Sequence, residues 1–348
     1  MLYYFSIIAI CCLLSIFIVK CNVRNRWTIL DFFILVILIL FAGFRDHVGT
    51  DYQTYYDIYN RIVTTKFNIE TFYNTNQEIG YYLLSVITKK ISKSDIGIFI
   101  SSSCLTYIFI YSRIKKESED FVYSILLFFL MGIYTGPFNI VRQWIAISLN
   151  FYSEKYIESN TKRFFFINIL ASLFHISAFP VMILQRLTRK IKLNRKIIFI
   201  FIFTMFIIFS LSYYLPLIAS IAQKINPRYA GYLQVGQSGL GIKLLLVIKI
   251  GILLFALINK RKIINERYVL YLMIAVLFNI LGLYYVIIYR FVSYFDIFLV
   301  LLIPEILKKC KKYDRVIYKY SFFLLYTCVF VLSILNYGDL LPYSSYLF

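Results

Sequence analysis

Charged residues are scarce in this chain, and acidic ones are scarcer than basic ones. Only 16% of the 348 residues are charged, whereas 61% are hydrophobic, and the mean hydropathy is +0.75. A soluble fold has no interior large enough to remove that much apolar surface from water. The shortage of charge therefore excludes a soluble protein and predicts an integral membrane protein.

Sequence motifs for nucleotide, dinucleotide and metal chemistry are also missing. There is no P-loop, no G-x-G-x-x-G fingerprint, no CxxC and no HExxH. The six cysteines fall in predicted spans or predicted cytoplasmic connectors, so no disulfide framework is indicated. No repeat or low-complexity tract is visible either. We therefore expect a single integral membrane domain over residues 1–348, with no cofactor, no metal and no ATP-driven pumping of its own.

Apolar segments of roughly 17–22 residues recur along the chain, each long enough to cross the ~30 Å hydrocarbon core of a bilayer. They predict an all-α polytopic membrane protein with about 10–12 transmembrane or re-entrant helices. The predicted spans are 2–19, 28–44, 94–112, 120–136, 139–156, 197–216, 241–259, 268–288, 290–307 and 319–337. Two more apolar segments, 79–91 and 163–184, are harder to place.

Basic residues gather in short connectors between these spans. Six connectors hold 25 of the 37 Lys and Arg residues, which is typical of cytoplasmic loops. They are Lys20–Arg26, Arg113–Lys116, Lys155–Arg163, Arg186–Lys196, Lys260–Arg267 and Lys308–Lys319. The net charge of +20 thus indicates membrane orientation and not nucleic-acid binding. Alternation then places both termini outside, together with outer loops at about 45–78 and 217–240.

The same alternation restricts the two ambiguous segments. Residues 79–112 must cross the membrane an odd number of times, so 79–91 is predicted to be re-entrant or interfacial. Residues 163–184 lie between two basic connectors and must cross twice or not at all. Two short arms meeting near His175 would carry that histidine to the outer face. A plain span followed by an unusually basic outer loop is the alternative.

Arginines are prominent among the polar residues assigned to the outer face. Arg45, Arg142, Arg228 and Arg290 all fall there, and Gln143 follows Arg142 in the first turn of a predicted helix. A guanidinium group matches phosphate oxygens two at a time, and a helix start favours anions. Four such arginines indicate a negatively charged substrate. Anchoring of helix ends by snorkelling is the alternative for any one of them.

Tyrosines follow Asp51 at helical spacing. Asp51 is a suitable N-cap, and Tyr52, Tyr55, Tyr56 and Tyr59 would share one helix face in the outer loop. Flat amphipathic rings beside guanidinium groups suit a sugar attached to a lipid diphosphate. An interfacial aromatic belt is the simpler interpretation, because tyrosine is enriched at membrane surfaces.

Six short motifs lie between or beside the predicted spans, in a fixed order. They are Phe44–Tyr52, Glu78–Leu84, Phe138–Ala146, Ala171–Ala178, Pro227–Tyr232 and Arg290–Phe295. Together they resemble the bacterial EpsG-like and Wzy-type polysaccharide polymerases over most of the chain. The resemblance implies a glycosyltransferase of the inner membrane, similar to other multi-span enzymes that use lipid-linked donors. Such enzymes join undecaprenyl-diphosphate-linked oligosaccharide repeat units at the outer leaflet, for O-antigen, capsule or exopolysaccharide.

The outer polar residues are assigned roles in this reaction. Arginine can stabilise the leaving diphosphate without a metal, and the acceptor hydroxyl needs a base, for which His175, Asp51 and Glu78 are candidates. The predicted catalytic residues are Arg45, Arg142, His175 and Arg290. The predicted substrate-binding residues are Asp51, Tyr52, Tyr55, Glu78, Gln143, Arg228 and Tyr229. A flippase and a chain-length regulator in the membrane are further candidate partners.

Two other protein classes remain open. A flippase or transporter would also bind lipid-linked sugars and would use charges inside the membrane, here Lys249 and Asp296. It would also be expected to have polar residues on several spans and internal pseudo-symmetry, and the sequence has neither. A membrane sugar acyltransferase would use His175 as its base but would turn it toward acyl donors in the cytosol. The face on which His175 lies therefore separates these alternatives.

Overall fold

The computed structural model describes residues 1–62, 66–208, 210 and 239–347. Within these ranges the regular secondary structure is helical, and the one β-type contact is an isolated antiparallel bridge between Arg45 and Ser345. The prediction of an all-α membrane protein is confirmed. The first eleven helices are α1 Leu2–Lys20, α2 Ile29–Gly43, α3 Tyr52–Arg61, α4 Ile69–Thr75, α5 Ile79–Ile91, α6 Gly97–Glu117, α7 Phe121–Leu130, α8 Val141–Ser153, α9 Tyr156–Ser159, α10 Thr161–Phe174 and α11 Ala178–Thr188.

The later helices lie before and after residues 211–238, which are not among the described residues. They are α12 at 195–208, α13 Leu240–Ile258, α14 Glu266–Gly282, α15 Val286–Tyr289, α16 Val292–Asp296, α17 Leu299–Lys308 and α18 Lys312–Asn336. The described residues form two compact units. One consists of Met1–Met182 with Cys310–Phe348, and the other consists of Ile183–Lys309. Whether the chain is a single domain, as expected from its sequence, stays a prediction.

Among the described residues, five helical stretches are long and apolar enough to cross a membrane, judged by length and composition. They are Leu2–Lys20, Gly97–Glu117, Leu240–Ile258, Ile287–Lys308 and Lys312–Asn336. Several other predicted spans are shorter helices. The predicted span 120–136, for example, ends as a helix at Leu130, because Gly132 takes a positive φ of 72° and turns the chain. The predicted span 197–216 lies only partly within the described residues.

Segment 163–184 forms two helices that meet near His175, as the hairpin interpretation predicted, and their place in the membrane stays a prediction. Helix α10 ends at Phe174 and α11 begins at Ala178. Met182 of α11 packs in one buried cluster with Phe164 and Ile157, so the chain reverses direction between the two helices. The 14 residues of α10 extend for roughly 21 Å, less than the ~30 Å of a full crossing. His175 lies at the break between the arms.

Helix α5 is the non-crossing helix predicted for 79–91. Near its C-terminal end, Lys89 Nζ donates to Asn60 Oδ1 over 2.9 Å. In its middle, Tyr82 Oη donates to the backbone oxygen of Asn68 over 3.0 Å. Both partners belong to the predicted outer loop 45–78, so the middle and the C-terminal end of α5 contact that loop. Helix α6, which follows, is long and apolar enough to cross a membrane.

The first unit has two chemically distinct ends. At one end the basic connectors meet, because Arg24 Nε donates to the Lys115 backbone oxygen over 3.2 Å and Lys319 pairs with Asp120. Beside them, the buried guanidinium of Arg113 pairs with Glu154 at 2.5 Å. Those connectors of the first unit that were predicted to be cytoplasmic therefore share one face of it.

The other end of the unit gathers both chain termini and the start of the outer loop. Tyr4 Oη donates to the Leu340 backbone oxygen over 2.9 Å, and Asp46 N donates to Ser344 O over 3.0 Å. Tyr343 stacks on Phe41 with ring centroids 3.9 Å apart. Both termini thus lie on the face of segment 45–78, as the alternation of loops predicted for this unit.

Candidate functional site

Three polar side chains from three separate segments meet on the face that carries the outer loop. Glu78 directly precedes α5, Arg142 lies in the first turn of α8, and His175 follows the last residue of α10. Glu78 Oε1 lies 2.7 Å from His175 Nδ1, and Arg142 Nη1 donates to the other oxygen, Oε2. All three were predicted site residues. One carboxylate holds the imidazole and the guanidinium side by side.

Gly80 allows Glu78 to approach His175. A Cβ atom on Gly80 would lie 2.8 Å from the carbonyl carbon and oxygen of Leu173. Only a residue without a side chain fits there, so the first turn of α5 can press against the last turn of α10. This close packing brings Glu78 within reach of His175.

The start of α8 is fixed from its other side. Asn139 Oδ1 accepts hydrogen bonds from Thr50 N over 2.7 Å and from Thr50 Oγ1 over 3.1 Å. Gly136 lies so close to the ring of Trp144 that a Cβ atom would overlap it. The turn before α8 is thereby tied to the loop after α2 and to the helix that it starts. Arg142 gains a defined position at the helix start.

The three side chains are partly open to their surroundings. The exposed fractions are 23% for Glu78, 26% for Arg142 and 22% for His175. Burial favours a raised pKa for the Glu78 carboxyl, but the hydrogen bond from His175 and the charge of Arg142 outweigh it and lower that pKa below its ordinary value. Glu78 is therefore ionised at neutral pH. An ionised carboxylate at Nδ1 favours the tautomer with its proton there, which leaves Nε2 as an acceptor.

Tyr55 borders the same site, as predicted. Its ring is buried, and the Arg142 guanidinium carbon lies 5.9 Å from the ring centroid. On its other side the ring meets Tyr81 edge to face, with centroids 5.6 Å apart. Gln143, the neighbour of Arg142, is 2% exposed. Tyr55 thus borders the guanidinium, and Gln143 is buried.

Arg45 occupies a different environment from the one predicted. It is 2% exposed. Its Nε donates to Val48 O over 3.1 Å and its Nη1 to Ala42 O over 2.5 Å, and the guanidinium lies 4.6 Å from the ring centroid of Phe99. These are contacts of an arginine that fastens the loop after α2. Its predicted catalytic role remains a prediction.

The tyrosine face of α3 is present but is turned inward. The helix begins at Tyr52, as the spacing predicted, although the side chain of Asp51 makes no N-cap hydrogen bond. Tyr52 stacks on Phe99 with centroids 4.5 Å apart, and Tyr59 is fully buried. These rings pack inside the first unit, and Tyr56 alone among the four tyrosines is half-buried.

The roles predicted for Arg228, Tyr229 and Arg290 stay predictions. Arg290 is exposed at a turn of the second unit, and Arg228 and Tyr229 lie outside the described residues. Within the second unit, Lys249 Nζ lies 2.9 Å from Asp296 Oδ2 and 2.8 Å from Asn279 Oδ1. The intramembrane charges that favoured a transporter are therefore paired with each other.

Two features of this face were not predicted. The C-terminal tail joins this face through the backbone hydrogen bond from Tyr346 N to Phe44 O over 2.8 Å. No pattern in the sequence indicated this contact. Tyr81 is fully buried beside Tyr55. Its position one helical turn after Glu78 was a usable signal, because residues three apart share a helix face.

A multi-pass helical membrane protein with a carboxylate, a guanidinium and an imidazole joined on one face is the class that this fold and site define. The model of the EpsG family matches residues 28–345, nearly the whole chain. The chain therefore belongs to the EpsG family, whose members are membrane proteins of polysaccharide-polymerase type. No curated protein and no solved structure matches the chain.

Proposed function

We propose that this chain is a polymerase that joins undecaprenyl-diphosphate-linked oligosaccharide repeat units. The bridge made by Glu78 between Arg142 and His175 is the observation that carries the proposal. It combines, at one face, the two groups that such a transfer needs: a cation for the leaving diphosphate and a base for the acceptor hydroxyl. The family membership supports the same class of reaction.

The reaction is a displacement at the anomeric carbon of the donor sugar. The acceptor hydroxyl oxygen on the next repeat unit forms a bond to that carbon. The bond from the carbon to the phosphate oxygen breaks, and undecaprenyl diphosphate leaves with the electron pair. The hydroxyl proton passes to Nε2 of His175. Charge develops on the diphosphate and on the imidazole, so stabilising both charges is the main catalytic task.

Glu78 supports the base in this scheme. With its pKa lowered, the carboxylate stays negative, fixes the orientation of the imidazole through Nδ1 and stabilises the imidazolium that forms. A carboxylate behind a catalytic histidine acts in this way in serine proteases. Arg142 is placed to hold the leaving group, since a guanidinium binds phosphate oxygens in pairs. Glu78 binds this guanidinium through Nη1, and Tyr55 also hydrogen-bonds the Arg142 side chain.

The same proposal includes the setting of the reaction. We call the cluster of Glu78, Arg142 and His175 the Glu78 site, and the face on which it lies the Glu78 face. We expect the chain to lie in a bacterial inner membrane with the Glu78 site toward the periplasm, where flipped lipid-linked units arrive. The clustering of basic connectors at the opposite end of the first unit supports that orientation. A flippase would supply the substrate, and a chain-length regulator would limit the product. The polymer is an O-antigen, a capsule or an exopolysaccharide.

Gene deletion followed by gel analysis of surface polysaccharide tests the function. Loss of a polymerase should leave material with a single repeat unit, because units still reach the outer leaflet. Loss of a flippase should leave none, and loss of an acyltransferase should leave full-length polymer without acyl groups. Either of the last two outcomes would contradict the proposal.

Complementation of the deletion strain with two matched variants tests the role of His175. His175→Gln keeps hydrogen bonding but cannot relay a proton, so it should insert normally and fail to extend chains. His47→Gln is the control, because His47 is 69% exposed and its Nδ1 lies 2.6 Å from the carboxylate of its neighbour Asp46. Full-length polymer from His175→Gln at normal protein abundance would exclude His175 as the base.

A further inference from the structure

Two hydrogen-bond donors beside the Glu78 site have no acceptor in the described part of the chain. They are the hydroxyl of Tyr81 and Nε of Arg142. Both atoms are buried, and Tyr81 as a whole is 0% exposed. Buried polar groups in folded proteins are normally hydrogen-bonded, and each exception calls for an explanation. Two such donors next to one proposed site point to an acceptor that is brought by a ligand.

The position of Tyr81 ties it to the same site. It lies one turn after Glu78, and its backbone N donates to the backbone oxygen of Glu78 over 3.1 Å. Its ring is held edge to face by Tyr55, whose own ring adjoins the Arg142 guanidinium. The hydroxyl therefore belongs to a packed group of side chains that ends at Arg142.

The electrostatic surroundings of Tyr81 favour an anionic acceptor. Burial raises the pKa of the Tyr81 hydroxyl well above its ordinary value, while the charges of Arg142 and Arg45 act in the opposite direction. The hydroxyl is thus a neutral donor in the field of two guanidinium groups. Arg45 donates to backbone oxygens, and no carboxylate pairs with it in the described residues. Its positive charge is therefore not neutralised by a carboxylate within the described residues, and it acts on the Tyr81 hydroxyl.

We propose that the Tyr81 hydroxyl and Arg142 Nε together bind an oxygen of the diphosphate group of the lipid-linked donor. Arg142 accordingly uses Nη1 for Glu78 and Nε for the ligand, and Tyr81 supplies a second donor without adding charge. This assignment rests on the proposed function, because it identifies the anion as the leaving group of that reaction. Tyr81 becomes a binding residue of the site.

Binding measurements on purified protein in nanodiscs test the assignment apart from catalysis. The variant is Tyr81→Phe, which removes the hydroxyl and keeps the ring. Its control is Tyr59→Phe, because Tyr59 is also fully buried and its hydroxyl also has no partner among the described residues. That hydroxyl lies against Gly97. Ligand-free unfolding temperatures of both variants should match or exceed that of the wild type.

Undecaprenyl diphosphate is the main probe, and undecaprenol and inorganic diphosphate are the other two. Tyr81→Phe should bind undecaprenyl diphosphate at least about tenfold more weakly than the wild type, whereas Tyr59→Phe should stay within about twofold. Undecaprenol, which has no phosphate, should not distinguish the three proteins. Weaker binding of inorganic diphosphate by Tyr81→Phe would assign the effect to the headgroup.

Several results would overturn the assignment. They are equal binding of undecaprenyl diphosphate by Tyr81→Phe and the wild type, no binding by the wild type, or a markedly lower unfolding temperature of the ligand-free variant, which would reveal a structural partner for the hydroxyl. Polymerisation by the wild type and Arg142→Lys is assayed separately. Failure of the wild type to make polymer from lipid-linked units would reject the proposed function while the binding result still stands.

Discussion

Glu78 determines what the other two polar side chains of the site can do, because each of its oxygens binds one of them. Without this carboxylate, the imidazole of His175 would lose the partner that fixes its tautomer, and Arg142 would lose an anchor for Nη1. The lowered pKa of Glu78 keeps the carboxylate charged throughout the neutral range. A single residue thus couples the proposed base to the proposed diphosphate ligand.

Replacement of Glu78 by Gln should therefore lower kcat by about a hundredfold or more, the usual contribution of general-base catalysis. The amide retains size but cannot stabilise an imidazolium. Initial rates of chain extension with reconstituted lipid-linked units measure the effect. Glu70→Gln is the control, because Glu70 is an exposed carboxylate in the same loop. Equal rates for the two variants would remove Glu78 from the mechanism.

The pH dependence of stability gives an independent readout of the same residue. Because the folded-state pKa of Glu78 lies below its ordinary value, its stabilising contribution is complete above the ordinary carboxyl pKa. It is lost as the pH falls through the lowered value. The unfolding temperature of the wild type should therefore fall more steeply in acid than that of Glu78→Gln. Parallel curves would contradict the pKa shift.

At the scale of elements, the site depends on how closely two short helices approach. Helix α5 lies along the outer loop and α10 ends at His175, and the contact of Gly80 with the Leu173 backbone sets the distance between them. Neither helix carries a charge pattern that would specify this approach. Backbone packing at one glycine therefore positions two functional side chains.

Gly80→Ala tests this packing. A Cβ atom 2.8 Å from the backbone of Leu173 must push α5 away from α10 and lengthen the contact between Glu78 and His175. We expect chain extension to fall at least about tenfold, since small misplacements of catalytic groups are costly, while the protein still inserts. Gly251→Ala is the control, because no described atom outside the adjoining backbone of its own helix lies within 4 Å of its Cβ position. Wild-type extension by Gly80→Ala would show that the close approach is not needed.

At the scale of the whole molecule, the separation of basic connectors from the Glu78 face defines an orientation. The sequence predicts that this face is outside, and in the first unit both termini lie on it. Catalysis at the outer leaflet requires that orientation. The proposed function therefore depends on which end of the protein meets the cytoplasm.

Labelling of introduced cysteines in whole cells tests the orientation. In a cysteine-free background, cysteines at Thr54, Gln234 and Ser238 should react with a membrane-impermeant maleimide once the outer barrier is permeabilised. Thr54 is exposed on α3, and the other two positions lie in the predicted outer loop outside the described residues. Cysteines near Lys192 and Lys311 should stay unlabelled. The reverse pattern would place the Glu78 face in the cytoplasm.

The sequence by itself determined the features that depend on local composition. Apolar length predicted helices such as α1, α13 and α18, and loop charge predicted which connectors share a face. Counting the crossings between basic connectors predicted the non-crossing helix α5 and the reversal at His175. Length and charge can be read from the sequence because the bilayer imposes the same requirements on every segment, so each segment can be judged without knowing its neighbours.

Only the tertiary structure decided which polar side chains meet. Glu78 is 64 residues from Arg142 and 97 from His175, and no local pattern encodes a contact over such separations. Arg45 has the same chemistry as Arg142, yet it turns inward because backbone oxygens and the ring of Phe99 receive it. A guanidinium binds whichever acceptors the fold brings within about 3 Å. Residue type therefore indicated the chemistry of the site, and long-range packing selected the residues that form it.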